Sequence, residues 1–220
     1  MKFFLIPVFL LLSFNCFSQQ NIDESNIHSL RFASKLNKFN ENSTNVNEYF
    51  ETNFKEAKVD DFKEKEKLRY NAFLDQFEFL RDDNLYMMSK IPNSVVIFDN
   101  GMIFKYVTYI YKDNLSHRYL KALSDHDKNI VLYKKYEIDR TKPLGTNGYD
   151  KVNDIDENGY KYSQEEKIFF LKDGNLSSVP SNIKKLSEFL DINIEPIVKE
   201  NKLNIKKEQD LIKLMEIINK

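Results

Sequence analysis

Between about Val59 and Val179 the apolar residues of this chain recur at every second position. After Pro180 they recur at every third or fourth. Alternation marks a strand with one face in a core, and the longer period marks an amphipathic helix. This single change of period excludes an all-helical chain and a sheet built from alternating strands and helices. Leu68-Arg69-Tyr70-Asn71-Ala72 alternates, as does Gln76-Phe77-Glu78-Phe79. Ile130, Leu132, Tyr136 and Ile138 share one face of a further strand, with Lys134 as the exception. Ser94–Phe98 and Met102–Tyr111 flank Asp99-Asn100-Gly101, a hairpin signal. Lys172-Asp173-Gly174-Asn175 is another. Successive strands joined by short turns pair antiparallel. The expectation is an α+β chain: an antiparallel β-meander or curled sheet over about 59–179, followed by a short three-helix C-terminal segment.

In that segment Ser181 is placed to cap a helix carrying Ile183, Leu186, Phe189 and Leu190. Asn193 is placed to cap a second, with Pro196 in its first turn, where proline is tolerated. Asn204 is placed to cap a third, carrying Leu211, Leu214, Met215 and Ile218. The organisation reads as a signal peptide (1–18) and a polar N-terminal segment (19–56), partly disordered or with a short helix over Ile27–Phe39. An antiparallel β domain (57–179) with a long loop (141–159) follows, and then helices packed on it (180–220).

Lys2 is the only charge among the first eighteen residues. The apolar run Phe3–Phe14 leads to Cys16-Phe17-Ser18, the small-x-small exit of an export signal, so cleavage is expected after Ser18. A membrane anchor needs about 20 apolar residues, more than this run offers. Lipidation at Cys16 is disfavoured by Asn15, where a small residue belongs. The expected location is the periplasm, the outer-membrane periphery or the exterior, with no transmembrane segment after cleavage.

Cys16 is the only cysteine. With it removed there is no disulfide, thiol nucleophile or thiolate ligand. Many exported domains rely on disulfides; this one must rely on packing, for which 18 Phe and 12 Tyr supply material. The chain has 33 basic and 34 acidic residues, which gives no general attraction to nucleic acid. Only five glycines are present, and that scarcity argues against a phosphate-cradling loop.

Asp154-Ile155-Asp156-Glu157-Asn158-Gly159, with Glu165 beyond, matches the spacing of a calcium loop. Asp154, Asp156 and Asn158 would offer side-chain oxygen, Tyr160 its carbonyl and Glu165 a bidentate carboxylate. Against it, the aliphatic eighth position holds Lys161, and the flanks are not helical. Asp125-His126-Asp127-Lys128-Asn129 lacks the glycine and the distal acid and reads as a turn. His28, His117 and His126 have no H-E-x-x-H spacing, and no G-x-S-x-G elbow exists. The expectation is a non-enzymatic module contacting an envelope protein or polymer through its sheet edge or long loop. The alternatives are a weak calcium module and a small-ligand binder inside the curled sheet; no other cofactor is expected.

Leu68-Arg69-Tyr70-Asn71-Ala72-Phe73-Leu74-Asp75-Gln76-Phe77-Glu78-Phe79, Ile130-Val131-Leu132-Tyr133-Lys134-Lys135-Tyr136 and the stretch from Ile197 through Leu214 form a trio of motifs. The trio resembles a group of small secreted proteins found widely in Bacteroidota. The resemblance spans roughly 57–220 and implies an address and an architecture, but no activity or site residue.

Overall fold

The structure, a computed structural model, describes residues 34–38, 45–60, 64–81, 84–142, 156 and 158–219. The expected signal at 1–18 lies outside the described residues, as does most of the long loop. The strands are β1 (Ser34–Lys38), β2 (Lys55–Val59), β3 (Glu66–Asn71), β4 (Gln76–Arg81), β5 (Asn84–Met87) and β6 (Val95–Phe98). After them come β7 (Ile103–Tyr111), β8 (Asn114–Ala122), β9 (Ile130–Thr141), β10 (Lys161–Lys172) and β11 (Asn175–Ser178). Helices α1 (Ile183–Leu190), α2 (Glu195–Glu200) and α3 (Glu208–Ile218) close the chain. No described helix is long and apolar enough to cross a membrane.

The strands form one sheet in the order β1-β5-β4-β3-β2-β6-β7-β11-β10-β9-β8, and β7 also pairs with β8. The sheet therefore curls back on itself. The β7–β8 and β9–β10 hairpins pair along their whole lengths. Strand β8 pairs with β9 at Lys121 and Ala122 against Lys134 and Tyr133, while β11, paired with the end of β10, meets β7 at Ile110 and Asn175 in the single parallel contact among described strands.

Three apolar clusters follow from the alternation. Leu68, Tyr70, Phe77, Phe79, Phe98 and Phe104 meet Tyr119, Tyr136 and Ile138 in the first. Val107, Tyr109, Leu120, Val131, Tyr133 and Phe169 form the second, between the two long hairpins. Leu132 and Phe170, one residue along from Val131 and Phe169, point the other way and are covered by the helices. Each helix is shorter than the ~12–15 residues that stand alone in water, so burial of this face holds them.

Lys134, the exception in its strand, sits where β9 passes from the helix-covered cluster to the first one. Its ammonium reaches Glu166 at 2.8 Å and Glu208, at the start of α3, at 2.6 Å. An ammonium can lie at this seam because two carboxylates meet it there.

Several expectations need correction. Ser34–Lys38, inside the helix expected over Ile27–Phe39, is a strand paired with β5. Its loose apolar stripe loses to the hydrogen bonds of an open sheet edge. Strand β2 begins at Lys55, four residues before the alternation that starts at about Val59. The helix caps also shift. Asn182, not Ser181, accepts from the Lys185 N–H, while Ile194 and Lys207 flank α2 and α3 without side-chain caps. Asn193 and Asn204 instead accept from Glu195 and Lys206 N–H groups two residues on, as turn-forming asparagines do.

Candidate functional site

The β9–β10 hairpin leads into the long loop, and its tip gathers the exposed and half-buried polar groups most suited to a contact. Arg140 and Tyr162 are cross-strand partners near that end. The Arg140 guanidinium lies 4.5 Å from the Tyr160 ring centroid and 5.0 Å from that of Phe73, which comes from the β3–β4 turn. Phe73 also meets Tyr162 edge-on at 6.3 Å. Asn45, just before the 3₁₀ turn Val46–Glu48, donates to the Tyr162 hydroxyl at 2.6 Å and to Asp156 at 3.2 Å. The Arg140 guanidinium, set against two rings and hydrogen-bonded to Tyr162, puts a cation at the exposed end of the hairpin, an arrangement suited to acceptor groups of a partner.

Asp156 organises the loop end. Its Oδ1 accepts from Tyr160 N–H at 2.8 Å and Asn158 N–H at 3.0 Å, and its Oδ2 from the Tyr162 hydroxyl at 3.3 Å. The Tyr160 N–H above all holds this carboxyl below the ordinary carboxylate range. Gly159, at φ 78°, permits the turn.

Of the residues read as a calcium loop, Asp154 lies outside the described residues. Asp156, Asn158 and Tyr160 come together in the turn. The Tyr160 carbonyl accepts from the Asp156 N–H at 2.8 Å, so an ion would compete with protein donors for both groups. Glu165 lies along β10 opposite Glu137, ion-paired with Lys167. It belongs to a lattice of charge on the outer hairpin face, in which Lys135 and Lys167 both bind Glu137. Burial opposes charge on Glu137, but these two lysines hold its carboxyl below the ordinary range. Asp125, His126 and Asp127 bring one ligand-type atom each within 4.8 Å of one another. Asp125 accepts from the Asp127 N–H at 3.0 Å, which makes the segment the turn its sequence suggested.

Backbone directions along the hairpin can be read from single bonds. The Leu132 carbonyl accepts from Leu123 N–H and the Tyr136 carbonyl from Arg118, both away from β10. Even-numbered residues of β9 thus face away from β10, and odd-numbered ones face it. The register pairs odd with odd, so Tyr162, Gln164, Glu166 and Ile168 turn their N–H and C=O groups to the other edge. Strand β11 covers that edge only at Phe169–Lys172; among the described residues 162–168 pair only with β9. Gln164→Pro is therefore expected to leave thermal stability close to that of the parent. Glu165→Pro, one residue along, removes a ladder N–H and should cost about 3 kcal/mol. Urea titration of the two variants checks this; equal losses would contradict the assignment of the edge.

A second polar centre ties the first sheet region to β8. Asp75, left-handed at φ 53°, accepts from the Tyr70 hydroxyl at 2.7 Å and the Tyr119 N–H at 3.1 Å. Arg118 lies 3.7 Å and Lys90 3.4 Å from its oxygens. Burial nevertheless pushes the Asp75 carboxyl above the ordinary range, against Arg118, Tyr70, Lys90 and the Tyr119 N–H. A raised folded-state value means that the protonated form is favoured on folding. The associated stability is present below the ordinary carboxylate range and is lost as pH rises through the raised value. Asp75→Asn keeps an acceptor but cannot ionise. Urea titrations in acid and neutral buffer are expected to show the parent gaining on this variant as pH falls; a constant difference would contradict the assignment.

The space bounded by Leu68, Tyr70, Phe98, Phe104 and Tyr136 is about 20 Å³, on the scale of one water. Sequence reasoning missed Asn45, Phe73, Arg140 and Tyr162 as members of the hairpin-tip cluster. They are distant in sequence and share no spacing, so no pattern along the chain could gather them. No protein-family model, curated protein or solved structure matches this chain.

Proposed function

We propose that the chain acts outside the cytoplasm, after loss of residues 1–18, as a non-enzymatic binding module. Its contact is made by the tip of the β9–β10 hairpin with the loop it carries. The observation that supports this reading is the stack of Phe73, Arg140 and Tyr160, with Asn45, Asp156 and Tyr162 beside it. Rings and a guanidinium at a loop root give contact area and directional donors at low entropic cost, as binding hot spots require. A photo-reactive residue at position 160 is expected to give a discrete adduct in the native envelope. One at Ile192, exposed on the helical segment, should not. Arg140→Ala should cut the yield at 160 at least severalfold without moving the melting temperature. Equal labelling from both positions, or turnover of ester, glycoside or peptide substrates by the purified chain, would overturn the reading.

A further inference from the structure

Lys121 stands on β8 at the same seam between apolar clusters that Lys134 occupies on β9. Two residues before it, Tyr119 enters the first cluster; two residues after it, Leu123 packs against the helix-covered one. Phe104 lies across from Lys121 on β7, and Lys134 across from it on β9. The side chain between them is half-buried. Two ammonium groups thus share one face on adjacent strands, and the nearby acids are unequally divided. Lys134 takes Glu166 and Glu208, and Glu51 pairs with Lys55. Among the described residues Lys121 makes no ion pair and no hydrogen bond.

We propose that Lys121 is a covalent attachment point for small aldehydes, its amine condensing with them ahead of the exposed lysines of the chain. A lysine that lies partly out of water, faces another cation and lacks a counter-ion is biased toward its neutral, nucleophilic form. Burial above all, and next the Lys134 charge, bring the Lys121 ammonium below the ordinary lysine value. Glu208 on α3, Glu51 before β2 and Glu166 on β10 pull the other way and are outweighed. The neutral Nζ attacks the carbonyl carbon, and the resulting carbinolamine loses water to leave an imine. This condensation requires no oxidant or reductant. An uncharged aldehyde also reaches the half-buried amine without bringing a charge out of water.

Reductive methylation of the purified chain tests the proposal. Limiting formaldehyde forms the imine, cyanoborohydride supplies the hydride that fixes it as an amine, and peptide mass mapping follows methylation lysine by lysine. At neutral pH Lys121 is expected to label severalfold faster than the exposed Lys128 and Lys184, and the advantage should vanish in urea. Lys134→Met removes the facing charge and frees Glu166 and Glu208 to pair with Lys121, so labelling at 121 should slow severalfold. Glu208→Gln removes an opposing carboxylate at equal size and should quicken it. Lys128 should be unchanged in both variants. The comparison of lysines within the parent chain remains decisive if either variant misfolds. Labelling at 121 no faster than at 128 and 184, or unmoved by Lys134→Met in a folded variant, would overturn the proposal.

Discussion

Replacing Glu78 with alanine is expected to cost about 3–5 kcal/mol of folding stability, because it removes the carboxylate that balances a buried guanidinium. Leu68 and Tyr70 of β3 and Phe77 and Phe79 of β4 enter the first apolar cluster. Alternation then sends Arg69, Asn71 and Glu78 to the opposite face. That face would be wet if residues 45–54 did not fold across it; Arg69 is 4% exposed and Glu78 2%. Glu78 accepts from Arg69 at 2.7 Å, from the Tyr49 hydroxyl at 2.9 Å and from Asn71 at 3.2 Å. The guanidinium also lies 3.9 Å from the Tyr49 ring centroid and 4.4 Å from that of Phe54. Burial, and next the Glu78 charge, push the Tyr49 hydroxyl up, so it remains a donor. Alanine at 78 leaves Arg69, Asn71 and Tyr49 without their shared acceptor. The double change Arg69→Met with Glu78→Leu removes both charges and is expected to sit far closer to the parent, since an apolar pair avoids desolvation. Urea titration of the two variants measures the difference. A loss under about 1 kcal/mol for Glu78→Ala would mean that residues 45–54 swing aside and let water in.

The β3–β4 pair also shows what a sequence of this kind makes legible. Alternation gave the two strands and put Arg69 and Glu78 on the face away from the core, which is where they lie. It could not show that another segment covers them, because residues 45–54 have neither strand nor helix period. The same limit explains Lys134. It broke the apolar face of its strand, and only the packing of α3 supplies Glu208 and so the reason. The turns at Asp99-Asn100-Gly101 and at Asp173-Gly174 were readable because a positive φ favours few residues, and both glycines have one. The calcium spacing was readable for the opposite reason: acidic residues two apart make a pattern in any polar loop. Glu165 completed that pattern in sequence, while in space it belongs to the ion pairs of β10. The hairpin-tip cluster was out of reach because Asn45, Phe73, Arg140 and Tyr160 meet only once the sheet has curled.

Phe170→Ala is expected to cost about 3–5 kcal/mol, and to remove helix and sheet together. Phe170 is fully buried on the face of β10 that the helices cover, and its ring centroid lies 5.4 Å from that of Phe189 in α1. Leu132, Leu186, Leu190, Leu214 and Met215 complete the cluster around it. The neighbouring Phe169 points the other way, into the cluster between the long hairpins. The two rings thus place one strand in two cores at adjacent residues, and a cavity on one side is felt on the other through a backbone they share. The helices are too short to persist without this support. Far-ultraviolet circular dichroism and tyrosine fluorescence should therefore report one transition in the variant, displaced to lower denaturant. An early transition confined to the helical signal would show instead that residues 180–219 unfold as a unit of their own, with β10 a docking surface for them rather than a part of their core.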